Sequence, residues 1–192
     1  NTWTLSRFNP TNIYRGGLGS DFQIYDIKYH PRVKDLVFVG TNEGLYRSTD
    51  NLQTWQRSYT NFDIDQITFH PTNDSIIYFY DSYYWSTNHD LIYRSTDLGL
   101  SFLGTNSIEG NNNRRTVQLS VSNDCASCLY YASSNGVWKS IDNGQNFSFL
   151  SNPAESCQAF AVNDLDTSNM IYGYVDLDAS IDGGKTFSDR TR

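Results

Sequence analysis

Short runs of alternating apolar and polar side chains recur along the whole chain, and none keeps the three-to-four-residue period of a helix. In Leu45-Tyr46-Arg47-Ser48, Ile92-Tyr93-Arg94-Ser95 and Val137-Trp138-Lys139-Ser140 the two kinds of side chain fall on opposite faces, as in a half-buried strand. Two further apolar runs stand upstream in each unit: 24–29 and 36–39, 66–69 and 76–80, 117–121 and 129–132, 159–162 and 171–175. With the stretch after each alternating run, this pattern predicts four strands per unit, A to D. His30-Pro31 and His70-Pro71 mark the A–B turns of the first two units, and Asn123-Asp124 and Asn163-Asp164 mark those of the others.

Each C run is followed by one motif: Ser48-Thr49-Asp50-Asn51-Leu52-Gln53-Thr54-Trp55, Ser95-Thr96-Asp97-Leu98-Gly99-Leu100-Ser101-Phe102, Ser140-Ile141-Asp142-Asn143-Gly144-Gln145-Asn146-Phe147 and Ser180-Ile181-Asp182-Gly183-Gly184-Lys185-Thr186-Phe187. It reads Ser-x-Asp-x-Gly-x-x-aromatic, with Leu52 standing for Gly in the first copy. Asp accepts bonds from nearby backbone amides, Gly supplies a positive φ, and the aromatic opens the next strand with a large apolar surface. The motif is therefore a hairpin corner between strands C and D. Its spacing of roughly 40 to 50 residues is that of propeller blades and some solenoids.

The reading is an all-β chain: a β-propeller, or propeller segment, of four four-stranded blades in one unit spanning 1–192. The approximate repeats are 8–59, 60–105, 106–151 and 152–192. Asn1-Thr2-Trp3-Thr4-Leu5 aligns with the tail of a motif, so 1–7 is expected to be a surplus N-terminal D strand. Five D strands against four A–B–C sets predict a segment of a longer propeller or array, or a strand that pairs with another molecule by β-augmentation. The alternative is a small closed propeller with an N-terminal extension.

The four motifs resemble Asp-boxes, or BNR repeats, found in the β-propellers of sialidases, xyloglucanase-type glycoside hydrolases and the VPS10 domains of sortilin-like receptors. Aromatic-basic-Ser-x-Asp-x-Gly-x-x-aromatic together with the preceding His-Pro turn looks most like the xyloglucanase-type repeat. The resemblance implies a propeller whose Asp-boxes are remote from the catalytic face, and whose cleft lies between two propellers. A sialidase would need an Arg-Ile-Pro segment and a distributed arginine triad, and no such segment is recognisable here.

Composition narrows the partners. A net charge of −7 argues against a nucleic-acid or anionic-membrane surface. No run is long enough to span a bilayer as a helix. Cys125 and Cys128 sit together in the third A–B turn and predict a small turn disulfide, with Cys157 free or paired elsewhere. Neither a second Cys pair nor a spaced His pair completes a metal site, and no nucleotide or phosphate fingerprint implies a cofactor. Asn73-Asp74-Ser75 and Asn146-Phe147-Ser148 are sequons, which permit N-glycosylation at Asn73 and Asn146 in a secretory pathway.

Strand order alone puts the C–D corners and A–B turns at one end of each blade and the D–A and B–C loops at the other, where binding is expected. Ser48, Asp50, Trp55, Ser95, Asp97, Phe102, Ser140, Asp142, Phe147, Ser180, Asp182 and Phe187 are accordingly structural. The second B–C connection carries Tyr83, Tyr84, Trp85 and His89, which either stack on sugar rings or extend strand B between blades. Arg114 and Arg115 either clamp an anion or sit in a solvated loop. Glycoside hydrolysis needs two opposed carboxylates. Asp21, Asp26, Asp63, Asp65, Glu109, Asp176 and Asp178 are available; segment 16–27 resembles the Gly-rich entry into the first blade of the xyloglucanase-type family, and that resemblance makes Asp26 either the catalytic candidate or an ordinary strand residue.

The expected function is an extracellular scaffold or binding module for carbohydrate or protein, joined to further repeats or to copies of itself through the N-terminal strand. One alternative is a fragment of a xyloglucanase-type glycoside hydrolase. Another is a filament subunit in which the surplus strand docks onto the next copy.

Overall fold

The computed structural model describes residues 22–60, 63–81, 89–105, 108–109, 118–153 and 157–191, and every regular element among them is a strand. Blade I comprises β1 (Ile24–Tyr29), β2 (Val37–Thr41), β3 (Gly44–Ser48) and β4 (Gln56–Tyr59). Blade II comprises β5 (Ile64–Phe69), β6 (Ile77–Asp81), β7 (His89–Ser95) and β8 (Leu103–Gly104), with β9 (Ile108–Glu109) also paired to β7. Blade III comprises β10 (Gln118–Val121), β11 (Leu129–Ser133), β12 (Gly136–Ser140) and β13 (Ser148–Ser151). Blade IV comprises β14 (Ala159–Val162), β15 (Met170–Gly173), β16 (Leu177–Ser180) and β17 (Ser188–Asp189). Each blade is an antiparallel meander in sequence order, so this is a four-bladed all-β propeller architecture. The D strand expected within 1–7 lies outside the described residues.

The B strands show why the blades stack. Along β6, Ile77 and Phe79 enter a cluster with Leu36, Phe38 and Leu45 of blade I. Tyr78 and Tyr80, pointing the other way, join Leu119, Leu129 and Tyr131 of blade III. A strand covered on both faces reads as an unbroken apolar run rather than an alternating one, which is what 76–80 and 129–132 show. Blade III repeats the arrangement, with Tyr130, Ala132 and Val137 packed against Phe160, Met170 and Tyr172 of blade IV.

Every corner is closed by the same bonds. Ser95 Oγ donates to Asp97 Oδ1 at 2.7 Å and accepts from Gly99 N at 2.8 Å. Asp97 Oδ1 also takes the amides of Leu100 and Ser101 at 3.0 and 2.9 Å. Ser48 with Asp50, Ser140 with Asp142 and Ser180 with Asp182 repeat the set. The fourth position after the serine has a positive φ in all four corners: 77° at Gly99, 78° at Gly144, 83° at Gly184 and 68° at Leu52. Leu52 therefore holds a conformation that glycine occupies without strain elsewhere.

Polar bonds join one blade to the next. The His30 ring accepts the amides of Arg32 and Val33 at Nδ1, and its Nε2 donates to Asp74 O of blade II at 3.1 Å. His70 Nε2 likewise donates to Asn143 Oδ1 of blade III at 3.0 Å. In the third blade Ser122 takes that position and donates to the carbonyls of Asn163 and Asp164. Gln66 grips the backbone of Leu119, accepting its N–H at 2.6 Å and donating to its carbonyl at 3.0 Å.

Several strand limits differ from the sequence expectation, and in two places the difference moves a loop. The fourth B strand ends at Gly173 rather than continuing to 175, because pairing of Met170 with Ser180 and Gly173 with Leu177 makes Tyr174–Asp176 the turn. In blade II, β7 begins at His89, inside the expected loop, because Asp90 and His89 pair with Ile108 and Glu109 of β9.

These bonds fix a pH profile. Burial lowers the His30 and His70 pKa values, which favours the neutral ring in the fold. Their stabilisation is thus present above the ordinary 6.5 and is lost as pH falls through and below it. Asp50, Asp97, Asp142 and Asp182 are each drawn down to about 2. At Asp50 the Thr54 hydroxyl is the main cause, and at Asp142 and Asp182 it is the amide of Asn146 and of Thr186. At Asp97 burial is the largest single influence and opposes the shift, but the bonds from Ser101, Ser95 and Leu100 together outweigh it. Their stabilisation is full above the ordinary 3.8 and is lost as pH falls from there towards 2. The melting temperature, followed by circular dichroism, is expected to be flat from pH 7 to about 8, to fall below 6.5 and to fall again below 3.8. A melting temperature that rises as pH drops from 7 to 5 would contradict the neutral-histidine arrangement.

Candidate functional site

Three backbone bonds fix which loops share an end of the blades. Leu98 N donates to Ser75 O, Asn143 N to Ser127 O and Gly183 N to Ser168 O, tying corners to the A–B turns of their own blades. The B–C turns and the first residues of the A strands therefore lie at the opposite, open end. There Ile24 pairs with Thr41 and Ile64 with Asp81, so β1 and β5 both begin at that rim.

At this rim Gln23 N donates to Asn42 Oδ1 at 2.9 Å, and Asn42 N donates to Gln23 O at 3.1 Å, locking the entry of β1 to the first B–C turn. Tyr25 is left with an exposed ring, its hydroxyl donating to Gln23 Oε1 at 3.1 Å. Burial first, and then the negative charges of Asp63 and Asp65, raise the Tyr25 pKa. Asp63 is half-buried, and that burial raises its own pKa, so it holds a proton more readily than an exposed aspartate. An aromatic face and an amide at the start of β1 and two carboxylates at the start of β5 thus lie along one rim. Such a set can stack on a sugar ring, orient hydroxyls and donate a proton.

Tyr25 escapes a sequence search for aromatic loops because it lies within a strand. The one signal for it is the break in alternation at the start of β1, where the register shifts between Ile24 and Asp26. Asp26 belongs to the same strand but faces blade II: Oδ2 accepts the Ile67 amide at 2.8 Å, and Oδ1 lies 3.6 Å from Lys28 Nζ. It occupies the position that Gln66 holds in the next blade, four residues before the turn histidine, and makes the corresponding link between A strands.

Tyr83, Tyr84, Trp85, Arg114 and Arg115 lie outside the described residues. His89 opens β7, its backbone opposite Glu109. In the corners, Ser48, Ser95, Ser140 and Ser180 are buried, and Phe102, Phe147 and Phe187 pack onto the blade cores, Phe102 with its ring centroid 4.8 Å from that of Phe79. Trp55 is half-buried at the matching place in the first corner. The corner carboxylates are saturated with bonds and belong to the frame. Cys125 and Cys128 form a disulfide, while Cys157 is a buried free thiol pushed up to about 12 by burial. Asn73 is exposed, its Oδ1 accepting Ser75 N, whereas Asn146 donates its side-chain amide to Asp142 Oδ2 at 2.8 Å. Among the described residues no group of three or more His, Cys, Asp or Glu is placed to hold a metal ion. A cavity of about 350 Å³ between blades II and III is lined by Arg94, Thr96, Ser101, Thr105, Gln145 and Asn146. It is a gap between two corners, at the far end from Tyr25.

No protein-family model matches the chain. The chain is similar to a xyloglucanase of Hypocrea jecorina (strain QM6a), with 30% identity over 164 residues that take in 75% of this chain and 19% of that protein. It thus spans about a fifth of the length of the curated relative it matches. An ancestral GH74 enzyme superposes with a TM-score of 0.76 at 18% identity, over 88% of this chain and 25% of that one. The GH74 xyloglucanase from Xanthomonas campestris does so with a TM-score of 0.68 at 16% identity, over 89% of this chain and 32% of that one. The fold is that of a xyloglucanase-like propeller.

The Asp26 link generates a stability test. Asp26→Ala leaves the Ile67 amide without its acceptor and is expected to cost about 1–3 kcal/mol in urea unfolding. Asp26→Asn keeps an acceptor oxygen and is expected to unfold close to the unsubstituted chain. Equal losses in the two variants would show that the carboxylate charge, not the bond to Ile67, matters there.

Proposed function

We propose that this propeller is part of a glycoside hydrolase of the xyloglucanase type and holds a β-glucan chain across the open rim of blades I and II. The observation that carries the reading is that the exposed Tyr25 ring on β1 and the carboxylates Asp63 and Asp65 at the start of β5 open onto the same rim. Similarity to a xyloglucanase over three quarters of the chain supports it and favours the enzyme-fragment alternative over a protein-binding scaffold. Tyr25 stacks on a glucose ring, Gln23 orients ring hydroxyls, and Asp63 is the group suited to protonate a glycosidic oxygen. Asp26, the catalytic candidate from sequence, serves in this reading as the inter-blade link, because its Oδ2 is committed to Ile67. Hydrolysis also needs a second carboxylate across the scissile bond, which we assign to an element facing this rim. The protein works outside the cell, where a turn disulfide persists and polymeric glucans are met.

Isothermal titration with xyloglucan oligosaccharides tests this directly. Binding is expected, and Tyr25→Ala is expected to weaken it about tenfold, the equivalent of about 1.4 kcal/mol. A reducing-end assay on xyloglucan run alongside separates holding from cleavage. Absence of binding to xyloglucan and to unsubstituted β-glucan would overturn the proposal.

A further inference from the structure

The seams between blades do not all close in the same way. Arg47 and Arg94 hold one position in blades I and II, immediately before the corner serine. In the first seam Arg47 Nε donates to Leu98 O of blade II at 2.9 Å, so that arginine ties the two blades together. In the second seam Arg94 Nε is buried and has no partner. Arg94 instead lines the cavity of about 350 Å³ between blades II and III.

Arg94 is anchored, but its charge is unanswered. Its guanidinium bonds to the hydroxyl of Tyr78, a buried phenol that burial pushes up to about 12 and keeps neutral. The ion pairs among the described residues join Lys28 to Asp26, Arg32 to Asp74 and Lys34 to Asp35, and none involves Arg94. The carboxylates of the two adjoining corners are already bonded: Asp97 Oδ2 accepts from the Ser101 hydroxyl, and Asp142 Oδ2 accepts from the Asn146 side-chain amide at 2.8 Å. Among the described residues that line the cavity, Arg94 alone is charged. Thr105 Oγ1, in the same wall, is likewise buried without a partner. Buried polar atoms nearly always find one, so two unmet atoms at one cavity mark a place built for an occupant.

The lining specifies the chemistry of that occupant. An unpaired guanidinium suits a carboxylate, which its planar fork grips through two parallel bonds. Thr96 and Ser101 bring hydroxyls to the same walls, which suit a polyol. Leu103 is paired with Arg94 across β7 and β8 and is 78% exposed, so it offers an apolar surface on the face that carries the charge. The volume falls within the range of small-molecule sites and is many times the roughly 30 Å³ share of one water, so a bare oxyanion would leave most of it unfilled.

We propose that this cavity binds a uronic-acid unit of an acidic oligosaccharide, with its carboxylate on the Arg94 guanidinium, its hydroxyls on Thr96 and Ser101 and the C–H face of its ring on Leu103. The site lies at the corner end of the blades, away from Tyr25. It does not depend on the glucan reading.

Amide chemical shifts, followed by NMR during titration with methyl β-D-glucuronide, methyl β-D-glucoside and sodium sulfate at constant ionic strength, test it. The glucuronide is expected to bind and to move the amides of Thr96, Ser101, Leu103 and Thr105. The glucoside, which lacks the carboxylate, and sulfate, which lacks the ring, are each expected to bind about tenfold more weakly or not at all. Two variants spare the frame. Thr96→Ile introduces the residue that Ile141 and Ile181 supply at that place in the other corners, and Leu103→Asp sets a carboxylate beside Arg94 at an exposed position where blades I and III carry Gln56 and Ser148. Each is expected to keep its circular-dichroism melt and to weaken glucuronide binding about tenfold. Tyr25→Ala, at the other end of the blades, is expected to leave glucuronide binding unaltered, which keeps the failure of one reading distinct from the failure of the other. No binding, equal binding of the glucoside or of sulfate, or folded Thr96 and Leu103 variants that bind like the unsubstituted chain would overturn the proposal.

Discussion

The bond between a buried serine hydroxyl and the aspartate two residues later governs this structure. Ser140 Oγ donates to Asp142 and accepts Gly144 N, while the Asp142 carboxylate takes the amides of Gln145 and Asn146. Five groups that would otherwise compete for water are thereby satisfied inside one turn. The turn then has one shape, the C and D strands have one register, and the aromatic that follows is delivered to the core. Repeated at Ser48, Ser95 and Ser180, the same device gives four sheets of one design.

Sheets of one design can stack in a series because each B strand presents a different set of side chains to each neighbour. Tyr78 and Phe79 are adjacent in sequence, yet they belong to different interfaces. Apolar packing supplies the contact area, while Gln66, Asp26, His30 and His70 make directional bonds across the seams. Such bonds set the angle between blades more narrowly than apolar contact does. Consigning the corners to one end leaves Tyr25, Asp63 and Asp65 at the other.

What the sequence makes legible is what local chemistry determines. The corners can be read because serine, aspartate, glycine and the aromatic act within eight residues of one another. The B strands can be read because burial on two faces removes polar residues from 76–80 and 129–132. The Cys125–Cys128 pairing is legible for the same reason of proximity. Asp26 illustrates the opposite case: its partner, Ile67, is 41 residues away, so the seam bond that it makes is not legible from its residue type. Tyr25 looks like any strand aromatic until β1 and β5 are set side by side. The early end of β15 and the early start of β7 likewise depend on partners that no local window contains.

Native-state amide hydrogen exchange at the corners tests the central claim most directly. The amides of Leu100, Ser101, Gln145, Asn146, Lys185 and Thr186 sit on exposed loops, and each donates to the corner aspartate. The expected result is protection approaching that of the buried B strands, at the same level in all three corners. Exchange at the rate of unstructured peptide would contradict it and would show the corners to be passive connections between sheets held together by packing alone.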